Sequence, residues 1–498
     1  MKYYKRISSA TAKSGKLVQV FFDPEIEKDY LHLRFAVFGL LFFVGIIFWM
    51  YFFDFGRTGL NFGDWDEINM PRLRFLQQAY QLGVFPWHML YTAPLHGADR
   101  FFSLPDVITS PQILLLYFIK ARYFVYFDVL LHYTIAFISI LWIKKLLRLS
   151  LIATCFFFFL FGFNGYVIAH YSVGHFTWGS HFLFPLFFVM MIRFSQGVRG
   201  WRWVAATAFL MFYMVLAGGE HQFVWLLIFM GLMIPSHWNQ AAWLVAAMVF
   251  AVLLSAVRLL PPVLELSRFT WASSASPAGY PSIMTLLQSM TQLISPGRAY
   301  EPLFPYNYPE LNLYVGFLGF IFVFYFGLVK WVGRLSTSGE FSKFVIPVFG
   351  MIFLSLSNSY NLIKALSIPL FNGERVSSRM IDVPFVFVLI IAAYFFQKWL
   401  NEHKPSPAFY AAMASLLVLV VHDLWVNLNL WSLRNIALIS KLSELDYSQM
   451  TLVGNHPDPV YMAVFFVGLA ITLISIASLL LLVFRKGKPG RNNSSLEV

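Results

Sequence analysis

The chain has 498 residues, 59% hydrophobic, 19% aromatic and only 12% charged, with a mean hydropathy of +0.66. Those values exclude an ordinary soluble domain, and a single cysteine, Cys155, excludes a disulfide framework within the chain. The net charge of +12 is spread over short loops rather than gathered on one face, so it reports membrane topology and not a nucleic-acid partner.

Continuous Phe- and Leu-rich runs of about 20 residues predict spanning helices, whereas barrel strands would alternate over about ten. Helices also satisfy their own backbone groups in lipid. Twelve spans are expected near 34–53, 123–143, 151–169, 181–193, 203–217, 223–235, 241–260, 312–329, 344–357, 381–397, 408–427 and 461–484. The fold class is thus an all-α polytopic bundle over 34–484, with a cytoplasmic segment 1–33 and a cytoplasmic tail 485–498. Loops carrying Lys144, Arg148, Arg193, Arg199, Lys330, Lys398 and Arg485 share one side, which the positive-inside rule makes cytoplasmic. No small-residue cleavage site follows the first apolar run, so span one is expected to remain as an anchor.

The other side receives the long loops 54–122, 170–180, 261–311, 358–380 and 428–460, rich in Pro, aromatic, His and acidic residues. Connections longer than about 15 residues usually carry function. Segments 181–193 and 223–235 fall short of a straight crossing, which suggests a wet cavity below the surface. Residues 111–122 read as an amphipathic interfacial helix whose cations either meet lipid phosphates or snorkel from a helix end.

The first long loop holds Asp64-Trp65-Asp66-Glu67, then a helical stretch around Arg72 to Gln78, then Gly83-Val84-Phe85-Pro86-Trp87. Pro71 suits a first helical turn, and Asp66 or Glu67 before it would favour the positive end of that helix. Capping needs one carboxylate; the loop offers three. His170, His175 and His181 gather in one short loop, but spacings of five and six residues fit no standard zinc pattern. Glu220-His221 lies between short apolar runs, near membrane depth, where ionisable groups are costly and either functional or a buried structural pair. Trp271, Tyr280, Tyr300, Tyr306 and Tyr308 suit either stacking on sugar faces or an aromatic membrane belt.

The layout resembles the GT-C superfamily of multispan glycosyltransferases, through Asp64-Trp65-Asp66-Glu67-Ile68-Asn69 after span one, the following helix and the Gly83–Trp87 turn. Gly218-Gly219-Glu220-His221-Gln222, Leu260-Pro261-Pro262 through Arg268, Ser295-Pro296-Gly297 and Tyr314-Val315-Gly316 look closest to its bacterial YfhO-like branch. The resemblance implies transfer of a sugar from a polyprenyl-phosphate donor to an extracytoplasmic glycan, lipid or protein acceptor. It also implies a general base, matched to Asp66 with Asp64 as runner-up and Glu67 beside them. A positioned carboxylate suits a weakly nucleophilic sugar hydroxyl, and one direct displacement inverts the anomeric centre.

The departing phosphate needs cations, for which Arg375 and Arg379 are the first candidates, at i,i+4 spacing on one expected helix face, with Arg268 and Arg298 secondary. The alternative is an ordinary ion-pair set with Glu374 and Asp382. His88, His96, Trp87, Glu220 and His221 are the candidate substrate contacts. A divalent metal ion is left open, since some members of the superfamily use one and others do not. A transporter or lipid flippase is the competing class, but the two similar halves it should show are missing. A glycan polymerase or ligase is a further alternative, against which the acidic first loop counts.

Overall fold

The computed structural model describes residues 18–104, 106–265, 279–296, 308–336, 339–364, 374–403 and 406–485. The described residues are helical, with β-structure limited to three isolated bridges. Among them nine helices are long and apolar enough to cross a membrane: Leu31–Phe52, Ala121–Leu147, Leu151–Val173, Phe176–Ser195, Pro235–Leu254, Phe317–Arg334, Ser377–Glu402, Pro407–Ile439 and Pro459–Arg485. Three shorter apolar helices, Trp201–Leu216, Glu220–Met233 and Ser342–Ser355, occupy the remaining expected positions.

The interior is built on Leu151–Val173 and Ser377–Glu402, whose apolar windows are 100% and 94% buried, while Leu31–Phe52 and Pro459–Arg485 lie outside at 28% and 22%. Phenylalanine fills the contacts between them. Phe156 stacks on Phe322 at 4.6 Å, and Phe188 meets Phe387 at 5.1 Å. Cys155 is buried within the same central helix. Between apolar helices in lipid, such close packing replaces the hydrophobic effect as the source of association.

The central helix is broken at Asn164. Its amide donates to the carbonyls of Leu160 and Phe161, and its Oδ1 accepts from Val167 N, so one side chain serves both broken ends. Gly165 N then donates to Tyr314 O at 2.7 Å, and a Cβ at Gly165 would collide with Asn312 and Tyr314. The absent side chain therefore lets residues 311–314 dock here, which brings Glu310 beside His170.

Two expectations change. Phe176–Leu183 forms a 3₁₀ stretch that continues into Phe184–Ser195, so the span expected at 181–193 reaches 20 residues. The interfacial helix expected over 111–122 is a 3₁₀ segment, Pro111–Tyr117, followed by a break; Arg122 already belongs to Ala121–Leu147, where it donates to Thr58 O. Pro111 opens the 3₁₀ segment, and Lys120 in extended conformation ends the connection.

The ends of the bundle differ in chemistry. At one, Lys144 binds Glu27 and Leu149 O, Lys398 binds Glu340, and Arg334 binds Glu402. At the other, the first long loop packs on residues 171–175 and 443–461.

Candidate functional site

The first loop reaches the site through a π-helical turn, Trp65–Asn69, that runs into the helix Met70–Gln81. Asn69 donates to Asp64 O and to Gly174 O, and Trp65 Nε1 donates to Tyr171 O. Gly174 ends its helix at φ +99°, and a Cβ there would strike the backbone of Trp65. Only glycine lets the two chains approach this closely. No side chain hydrogen-bonds to the start of Met70–Gln81, but Pro71 sits in its first turn, and Asp66 and Glu67 lie in the first turn of the π-helical stretch leading into it, as the helix-end reading expects.

Asp64 and Asp66 consequently face different ways. Asp64 Oδ2 lies 3.4 Å from His175 Nε2. Asp66 is buried and accepts from the Tyr447 hydroxyl at 3.2 Å, while Glu67 is exposed. From Asp64 a line of polar groups runs inward. His175 Nδ1 is 2.5 Å from His170 Nδ1, and His170 Nε2 is 3.8 Å from Glu310 Oε2. Side-chain exposure falls along it from 37% at Asp64 to 14% at His175 and 0% at His170, so Asp64 is the end open to a ligand.

Glu310 accepts from Arg379 at two points, one of them Nε at 2.7 Å. The guanidinium lies 4.8 Å from the Trp178 ring centroid, and Trp178 Nε1 donates to the Tyr166 hydroxyl. Burial alone would raise the Glu310 carboxyl, but Arg379 outweighs it and holds the group far below the usual carboxylate range. The site continues past Trp178 to His221, whose Nδ1 is 3.0 Å from Glu374 and whose Nε2 is 3.6 Å from Glu220. Trp225 Nε1 also donates to Glu374. Asp106, paired with Arg72 at 2.9 Å, closes this side, within electrostatic reach of His96 and His221.

Proton counting along the line is restrictive. A contact between two Nδ1 atoms needs one donor and one acceptor. If His170 accepts there, its Nε2 carries a hydrogen toward the Glu310 carboxylate, the favourable sense. His175 then donates from Nδ1, and its Nε2 shares whatever proton lies between it and Asp64. Asp64 and His175 could thus share a proton as one unit, with His170 and Glu310 behind it. His170, His175 and Glu310 each also place a ligand atom within 4.8 Å of the others, a set that would suit a divalent ion.

The expected phosphate pair separates. Arg375 precedes the 3₁₀ turn Ser377–Ile381 and is exposed, while Arg379 is buried against Glu310, so the two do not share a helix face. The alternative set is not formed either: Asp382 pairs with His181 and Glu374 with His221. Arg268 and Arg298, with Trp271, Tyr300 and Tyr306, lie outside the described residues. Tyr280 is buried, donating to Leu311 O. His88 and Trp87 lie in a separate cluster with residues 455–465, and His96 is exposed at φ +52°. Glu310, Trp178 and Asp106 join the site without having been singled out from sequence, and Glu374 joins it in another role than the ion pair expected of it. The gathered histidines at 170 and 175 were the one signal pointing toward them.

No family model matches the chain, and no curated protein or solved structure is similar to it by search.

Proposed function

We propose that the chain is an integral-membrane glycosyltransferase, with this end of the bundle facing out of the cytoplasm of a bacterial inner membrane. It takes a sugar from a polyprenyl-phosphate donor and gives it to an acceptor hydroxyl. The reading is carried by one observation: a partly exposed carboxylate, Asp64, backed by His175, His170 and Glu310, at the rim of a buried polar line.

In this reaction the acceptor oxygen attacks the anomeric carbon and its proton passes to the Asp64–His175 unit. The bond from the anomeric carbon to the phosphate oxygen breaks, and polyprenyl phosphate leaves with the electron pair. The configuration inverts. General-base assistance of this kind is worth about 10²–10⁴-fold. Arg375, exposed next to Glu374, is the cation free to meet the phosphate, whereas Arg379 is engaged by Glu310 and positions it. His221, Glu220 and Trp178 line the inner side and supply sugar contacts.

The test is donor-dependent sugar transfer by the purified chain in detergent. Asp64→Asn should lose about 10²–10⁴-fold in kcat, with Asp66→Asn close to wild type. Equal activity of Asp64→Asn and wild type removes the base. Movement of lipid or solute across liposomes without any covalent transfer establishes the transporter class instead.

A further inference from the structure

A second cluster, apart from the proposed site, joins the first long loop to the last. Met89 N donates to Asp99 O, Leu90 N to Leu452 O and Gly454 N to His88 O, so three segments are knitted through their backbones. Asn455 strengthens the seam, accepting from Trp87 N and His88 N and donating to Phe85 O. This scaffold sets three side chains together: His88, Asp99 and His456.

His456 Nε2 is 2.8 Å from Asp99 Oδ2, although the two are 357 positions apart. The His88 and His456 rings stack at 3.8 Å. One ligand atom from each of the three residues lies within 4.8 Å of the others. His88 is only 1% exposed, yet neither of its ring nitrogens makes a hydrogen bond; its closest carboxylate, Asp458, stands 3.6 Å from Nε2. A buried imidazole left without hydrogen bonds calls for a partner. The charges around it favour a cation: Asp99 and Asp458 lie beside His88, and Arg100 is shared between Asp458 at 2.6 Å and Glu265 at 2.8 Å.

We propose that His88, Asp99 and His456 form a zinc site that clamps residues 452–458 onto the first long loop. Two imidazoles and one carboxylate select zinc over magnesium or calcium, which prefer all-oxygen shells. Water completes the tetrahedron, since Asp458 is committed to Arg100. The two rings are tilted by only 25° and must fan apart to aim at one ion. His456, half exposed, is the ring that turns, while His88 stays fixed in its pocket.

The experiment uses the full chain in detergent, stripped by chelator and titrated with cobalt chloride while visible absorption is followed, then with zinc chloride while thermal unfolding is followed. Wild type should develop cobalt ligand-field bands that zinc abolishes, and zinc should raise its melting temperature. His456→Ala and Asp99→Asn, both at half-exposed positions, should each weaken binding by at least about tenfold and lose the zinc-induced shift. His175→Ala, in the other cluster, should keep both. Absence of bands and shift in wild type overturns the proposal, as does a His456→Ala protein that binds like wild type. Loss of both signals in His175→Ala with retention in His456→Ala assigns the metal to His170, His175 and Glu310 and equally overturns it.

Discussion

The Nδ1 atoms of His170 and His175 stand 2.5 Å apart, so the protonation of one ring dictates that of the other. Glu310 on the far side of His170 favours one direction, because in a neutral ring an acceptor role at Nδ1 leaves the hydrogen on Nε2, 3.8 Å from that carboxylate though not hydrogen-bonded to it. If Asp64 is the base proposed above, its basicity is set by groups deeper in the line. His170→Leu should lower kcat by about 10²-fold with little change in KM, as steady-state transfer assays would show. His170→Asn, whose amide oxygen can still accept from His175, should retain several times more activity. Equal losses in the two variants would mean that His170 merely fills space.

Asp66 is held differently. Its carboxylate and its backbone carbonyl both accept from the Tyr447 hydroxyl, which ties the first loop to the segment before the last helix. Tyr447→Phe leaves a buried carboxylate without that donor, which should cost about 1.5–3 kcal/mol in thermal or denaturant unfolding. Sugar transfer at a temperature well below melting should be unchanged. A large catalytic loss in Tyr447→Phe at full stability would return Asp66 to the reacting centre.

The helix positions were legible from the apolar runs: each expected span coincides with a helix among the described residues, nine of them long and apolar enough to cross a membrane and three shorter. That Asp64 and Asp66 face different ways was within reach too, since residues two apart on a helical turn point to nearly opposite sides; which of them faces a ligand was not. Glu310 was not legible. It sits in a short 3₁₀ turn, Tyr308–Leu311, without periodicity, and its partners His170 and Arg379 are brought in by the Asn164 break and the Gly165–Tyr314 contact. The misplacement of Arg375 beside Arg379 has a similar origin, since i,i+4 spacing pairs side chains only inside a helix, and here the helix starts after Arg375.

Glu374 gives the site a dependence on acid. Burial would raise its carboxyl, but the charge of His221, the hydrogen bond to it and the nearby Arg379 hold it below its ordinary 4.5. A carboxyl depressed on folding stabilises fully above its unfolded value and loses that contribution as pH falls through the folded one. Wild-type melting temperature should thus fall as pH drops below 4.5, and Glu374→Gln should be less stable at neutral pH but flatter through the acid range. Thermal melts of the two proteins across that window check the sign. A Glu374→Gln curve parallel to wild type would show that the pair with His221 carries no linked protons.

Glu310 and Arg379 are the sharpest case, because one ion pair would serve both the fold and the proposed chemistry. Each is about nine-tenths buried, and removing either partner strands a charge in the interior. Glu310→Gln should cost about 3–5 kcal/mol, measured by denaturant unfolding in detergent. Replacing both, as Glu310→Leu with Arg379→Met, removes the stranded charge and should return most of that loss, since apolar pairs of similar volume often match buried ion pairs. Activity should not return with it. Without the carboxylate, nothing fixes the hydrogen on His170 Nε2, and the Asp64–His175 unit loses its orientation. A double variant that is stable and transfers sugar at the wild-type rate would sever Glu310 from the relay and leave Asp64 to act alone.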